Sequence, residues 1–144
     1  MLDRLIESSP VPIKFVDAVD NPYWCGIYYQ GETKGYTGKA RIEILAELDN
    51  CQKMSTVVHE IGHAQCDARD CKCMKNSDYT EREIHAYKFT LSWLLKHKQK
   101  KTLKQEIYSL RRQASGDTCS EYYTKAAKYI MKLKLWQKCL DYVK

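Results

Sequence analysis

The sequence predicts an α+β fold, mostly helical, in which a small antiparallel sheet of about three strands packs on a helical core that ends in a C-terminal helical hairpin. Three observations lead there. Apolar alternation runs through Arg41 to Leu48, apolar residues recur at helical spacing in four later segments, and glycines mark the turns early in the chain.

The strand segments come first. Ile13 to Val16, Trp24 to Tyr29 and Ala40 to Leu48 read as three short strands, with Gly31, Gly35 and Gly38 in the turn between the last two. In the third, Ile42, Ile44, Ala46 and Leu48 fall on one face and the intervening positions are mostly charged, so one face is expected to be buried. A strand of this kind at the sheet edge would offer free backbone groups to an extended peptide.

The helices follow. Met54, Val57, Val58, Ile61 and Ala64 predict a helix over Cys51 to Asp67, with Asp49 or Asn50 available as its cap. Polar residues and cysteines from Asp67 to Asp78 predict a connecting loop. A second helix is expected from near Tyr79, carrying Ile84, Tyr87 or Lys88, Leu91, Leu94 and Leu95. The basic run His97 to Lys101 marks a minor boundary. Leu103, Ile107 and Leu110 define a third helix, and Tyr122, Ala126, Tyr129, Leu133, Trp136 and Leu140 a fourth, separated by Gly116 and Asp117.

With 144 residues, the expectation is a single domain over 1–144, with a core at 40–95 and a basic helical part at 96–144. No apolar run approaches the roughly 20 residues that cross a bilayer, and Met1 to Pro10 lacks the features of a secretory signal. A soluble, cytoplasmic protein without membrane partners is expected. Seven cysteines are an odd number, which without a secretory signal favours reduced thiols over a disulfide framework.

The chemistry concentrates in His59-Glu60-Ile61-Gly62-His63. Helical residues four apart lie on one face, about 40° from each other, so two imidazoles can address one cation. Glu60 projects about 100° away, beside such an ion rather than on it. That is where a general base for a metal-bound water belongs. Gly62 is expected to let this helix approach a neighbour closely, since glycine inside a helix costs about 1 kcal/mol relative to alanine.

A third ligand is expected from the second helix. Glu83 near its start is the candidate, and His₂Glu with an open fourth position is a ligand set of zinc peptidases. Two other readings stay open. Thr80 and Glu83 have capping-box spacing, which would turn Glu83 to the backbone, although Asp78 and Glu81 repeat that pattern and would leave it free. His85 is a rival ligand, about 200° around the helix from Glu83, so the two cannot serve one ion.

Glu83-Ile84-His85-Ala86-Tyr87-Lys88-Phe89 with Trp93-Leu94-Leu95, taken with His59 to Ala64 and the strand-like Arg41 to Leu48, resembles the ImmA/IrrE-like metallopeptidases, a gluzincin-type group. The resemblance covers roughly residues 40 to 95. It implies a zincin-like fold, zinc (Zn²⁺) held by His59, His63 and Glu83, Glu60 as catalytic base, and a regulatory protein as substrate. Two departures are visible: Thr90 stands where the family has Ala after the Phe, and the loop is rich in cysteine. Arg69 occupies the place of a metzincin's third histidine, which argues against that class.

The cysteines supply a competing expectation. Cys66 shares the face of His59 and His63, so Cys66, Cys71 and Cys73 could close a structural His₂Cys₂ site without room for water. Against this, Cys71-x-Cys73 is tight for zinc, and a structural site gives Glu60 no task. Ordinary loop thiols are the plainer expectation for Cys71 and Cys73.

Charge is uneven. Residues 96 to 144 hold 13 Lys and Arg against 4 Asp and Glu, +9, whereas residues 1 to 95 hold 11 against 14, −3, which together give the net +6. Interleaved with Tyr108, Tyr122, Tyr123, Tyr129 and Trp136, the basic half is compatible with nucleic acid or an acidic protein, but aromatics at core spacing favour a solvated face. The expected function is a zinc-dependent endopeptidase acting on a protein or peptide, with Glu60 activating a zinc-bound water. The alternative is a structural-zinc or degenerate binding module whose basic helices engage nucleic acid or a regulatory protein.

Overall fold

Ile42 and Ile44 are fully buried and their neighbours Arg41, Glu43 and Leu45 only partly, so the alternation of this segment becomes one face of a sheet. In the computed structural model, residues 1–19, 24–31 and 38–144 are described; the expected turn glycine Gly35 lies outside them. The elements are α1 (Leu2–Glu7), β1 (Ile13–Val16), β2 (Gly26–Tyr29), β3 (Arg41–Leu45), α2 (Asn50–Ala68), a 3₁₀ turn (Lys72–Lys75), α3 (Thr80–Lys96), α4 (Lys100–Ala114), α5 (Glu121–Ile130) and α6 (Lys134–Val143).

The sheet has the order β1-β3-β2. β2 runs antiparallel to β3, pairing Tyr28 with Ile42, but β1 runs parallel to it, pairing Phe15 with Ile44. The sheet is therefore mixed rather than antiparallel. Alternation reports which face a residue occupies and is blind to strand direction. It also cannot place a strand within a sheet: β3 lies in the centre, so the expected peptide track along its edge does not exist, and the edges belong to β1 and β2. β3 ends at Leu45 because the chain then turns into α2, whose cap Asp49 accepts the Gln52 N–H at 2.8 Å.

α2 stands between two cores. Val57, Val58 and Ile61 pack with Ile42, Ile44 and Leu5 on the sheet side. The second core is built by α3 to α6 around Leu91, Leu94, Leu103, Leu110, Ile130 and Trp136. β2 meets α2 at Gly26, where a β-carbon would lie 2.7 Å from Thr56 Cγ2 and 2.9 Å from Ile44 Cδ1. Only a glycine lets the sheet seat there without displacing a side chain.

Three departures concern the helices, one being α1 (Leu2–Glu7), over a segment for which no element is expected. The expected loop after α2 contains the 3₁₀ turn, whose Cys73 and Met74 are buried. The expected fourth helix is two, because Leu133 is extended (φ −85°, ψ 152°) between α5 and α6. A straight helix would carry Ile130 and Trp136 past each other; the turn at Met131 to Leu133 brings both into one core and leaves Tyr129 exposed. Among the described residues, no helix is long and apolar enough to cross a membrane.

Candidate metal centre

α2 presents the His59 and His63 rings edge to face, with centroids 4.8 Å apart. Opposite them α3 brings in Glu83, only 5% exposed. Its Oε1 accepts from His59 Nε2 at 3.1 Å and its Oε2 from His63 Nε2 at 2.8 Å. One carboxylate thus bridges both imidazoles. Glu83 is free to do so because the helix start is capped otherwise: Asp78 Oδ1 accepts the Thr80 N–H at 3.0 Å and its hydroxyl at 2.7 Å. The Glu83 N–H donates to the Tyr79 carbonyl. The capping-box reading of Glu83 is thereby excluded.

The charges follow from this packing. Burial pulls the His59 imidazolium down, but the Glu83 carboxylate overrides it and lifts the pKa to about 9. Burial would raise Glu83, yet the charges of His63 and His59 hold it well below the usual carboxylate range. Glu60, 8% exposed, is raised by burial, and the same two histidines partly offset that shift. Ligand-type atoms of His59, Glu60 and His63 lie within 4.8 Å of one another, a grouping that could hold a metal ion. This grouping contains Glu60, and Glu83 meets the same two imidazoles from α3, so two nitrogens and two carboxylates lie together, a donor set that fits a divalent cation taking nitrogen and oxygen ligands.

The centre opens on a cleft of about 1040 Å³ whose walls include Trp24, Gly26, His59, Glu60, Tyr87 and Tyr123. Tyr87 packs against His59, centroids 4.9 Å apart, and its hydroxyl donates to Gln113. Burial holds Tyr123 protonated, with the nearby Glu83 charge adding to the effect. Of the other polar groups suited to stabilising an oxyanion, Tyr108 lines the cleft, Tyr79 stacks on Tyr122, and His97 is stacked on Trp93. The Trp24 indole N–H is buried without a partner among the described residues.

Sequence reasoning missed Glu106. It is 9% exposed, accepts the Ser55 hydroxyl, lines the cleft and adds to the negative field on His59. A signal was present: Leu103, Glu106, Ile107 and Leu110 share one helical stripe, so Glu106 is a carboxylate on a core face.

Cys25 and Cys119 line the cleft, but Cys66, Cys71 and Cys73 lie elsewhere. All seven are free, and Cys66 turns away from His59 and His63 to gather with Cys71, Cys73 and His85. The closed His₂Cys₂ site is therefore not formed, and His85 is occupied away from Glu83. Burial pushes the Cys66 and Cys73 thiols up, while the Cys73 backbone N–H draws the Cys71 thiol down. Comparison with protein-family models, curated proteins and solved structures finds no match, so the chemistry of this centre is read from its own residues.

Proposed function

We propose that this chain is a zinc-dependent endopeptidase that hydrolyses peptide bonds in a protein or peptide substrate. The observation that carries the reading is the bridging of His59 and His63 by Glu83, with a second buried carboxylate, Glu60, lining the cleft beside them and accepting from the Tyr28 backbone N–H. His59, His63 and Glu83 would hold the ion. When bound, zinc supplies Lewis-acid polarisation of the scissile carbonyl and lowers the pKa of a water toward about 7.

The remaining chemistry belongs to the protein. Glu60 takes the proton of the attacking water and returns it to the departing amine. Its burial raises proton affinity, the direction a general base for a metal-bound water requires. Tyr87 orients His59 through ring packing. A cleft of about 1040 Å³ is at the upper end of small-molecule pockets, about 300–1,000 Å³, and suits several residues of an extended chain. Gly26, the first residue of β2, lines this cleft on an outer strand of the described sheet and offers the substrate backbone a partner there.

Glu60→Gln tests the assignment. The variant is expected to bind zinc with unchanged stoichiometry and to lose cleavage of a peptide library by at least about 100-fold, the lower range for a general base. A variant that still cleaves removes Glu60 as the base.

A further inference from the structure

We propose that Cys66, Cys71, Cys73 and His85 form a second metal site, a closed Cys₃His centre suited to zinc, which ties α2, the 3₁₀ turn and α3 together beside the His59, His63 and Glu83 centre. It is independent of the proteolytic reading and holds whether or not the first centre is catalytic.

Four groups from three elements meet here. Cys66 closes α2, Cys71 and Cys73 flank the start of the 3₁₀ turn, and His85 comes from α3. Their ligand atoms all lie within 4.8 Å of one another. His85 Nδ1 is 3.6 Å from Cys66 Sγ and 3.6 Å from Cys71 Sγ. Tetrahedral zinc with Zn–S about 2.3 Å and Zn–N about 2.0–2.1 Å requires sulfur and nitrogen about 3.6 Å apart. The observed spacing is that of ligands around an ion.

The surroundings also match. The far nitrogen of His85, Nε2, faces Glu81 Oε1 at 3.8 Å, too long for a hydrogen bond but on the side where a carboxylate partner of a metal-bound imidazole would stand. Arg69 Nη2 donates to Cys66 Sγ at 3.5 Å. A dication with three thiolates leaves one net negative charge, which this guanidinium offsets. Arg82 Nε donates to the Cys73 carbonyl at 3.0 Å and also reaches the Met74 carbonyl, so α3 fixes the cysteine turn twice over. Asp70, at φ 55°, reverses the chain after α2, and the Cys71 N–H then bonds the Cys66 carbonyl at 2.9 Å. Cys66 and Cys73 are 2% and 0% exposed. Four protein ligands leave no open position, so the role is structural, and soft thiolates select zinc over magnesium or calcium.

The full chain loaded with cobalt(II) and, separately, with zinc tests this. The unmodified protein is expected to hold two equivalents of zinc and, with cobalt, to show near-ultraviolet thiolate-to-metal charge transfer. Cys71→Ser and His85→Ala, both at partly exposed positions, should each lose one equivalent and weaken that band. A His59→Ala/His63→Ala double variant should lose one equivalent and keep it. Failure of the first centre alone would leave the band intact, which separates the two readings. Absence of thiolate charge transfer in the unmodified chain overturns the proposal. So does alkylation of Cys71 at the same rate before and after zinc removal, a measurement that needs no variant.

Discussion

Gly62 faces the α-carbon of Ala86 so closely that a β-carbon on Gly62 would lie 3.2 Å from it and 3.3 Å from Phe89 Cβ. This sets the separation of α2 and α3, and Glu83, three residues before Ala86, lands opposite His59 and His63 as a result. Gly62→Ala gains about 1 kcal/mol of helix propensity but overpacks against backbone, which costs about 1–3 kcal/mol. The variant is expected to be less stable by about 1 kcal/mol and to bind zinc more weakly, measured by thermal melting and metal titration. Unchanged zinc affinity would show that this crossing does not place Glu83.

Glu83→Gln keeps a hydrogen-bonding shape but removes the charge. Zinc affinity at the first centre should fall more than about 10-fold, since even an outer-shell partner is worth that much. Cys66→Ser, by contrast, should leave this centre's metal in place. Competition with a chromogenic chelator distinguishes the two.

Stability in the presence of a chelator should peak in mildly acidic solution. His59 has a folded pKa of about 9 against an ordinary 6.5, so its contribution is full below pH 6.5 and is lost as pH rises through about 9. Glu83 is depressed below its ordinary 4.5, so its contribution is present above pH 4.5 and fades as the pH falls below it. The highest Tm is expected between about pH 4.5 and 6.5. With zinc the upper limb should reverse, because imidazoles bind metal only when neutral. A chelated protein whose Tm climbs from pH 6.5 to 9 would contradict the bridged carboxylate.

Arg82→Ala should loosen the turn at Cys73. It removes both guanidinium contacts to backbone carbonyls while leaving all three cysteines present. Faster amide exchange at residues 71–76 is expected, with α2 and α3 largely unaffected. Unchanged exchange would mean the turn is held by other contacts.

Much of this arrangement is legible in local sequence. The α2 helix, a cap at Asp49 or Asn50, the inward positions Ile42 and Ile44, and the common face of His59 and His63 all follow from periodicity and chain geometry within a few residues; the structure selects Asp49. Three-dimensional packing decided the rest. Glu83 and His85 sit two residues apart on one helix and cannot face one ion; the sequence favours Glu83 but leaves His85 a rival, and the close crossing at Gly62 sends Glu83 to the histidines and His85 to the thiols. Glu106, similarly, shares the apolar stripe of α4, and only the packing of α4 against α2 brings it to Ser55 and the cleft.

By itself the sequence determined the local grammar of β1 to β3 and α2 to α4, and which of their side chains can share a face, because those depend on short-range backbone geometry; it did not show α1. Tertiary structure alone decided strand direction, the central place of β3, the turn at Leu133 and the sorting of cysteines from histidines. Those depend on which distant surfaces bury each other, and burial is a property of the whole packed chain.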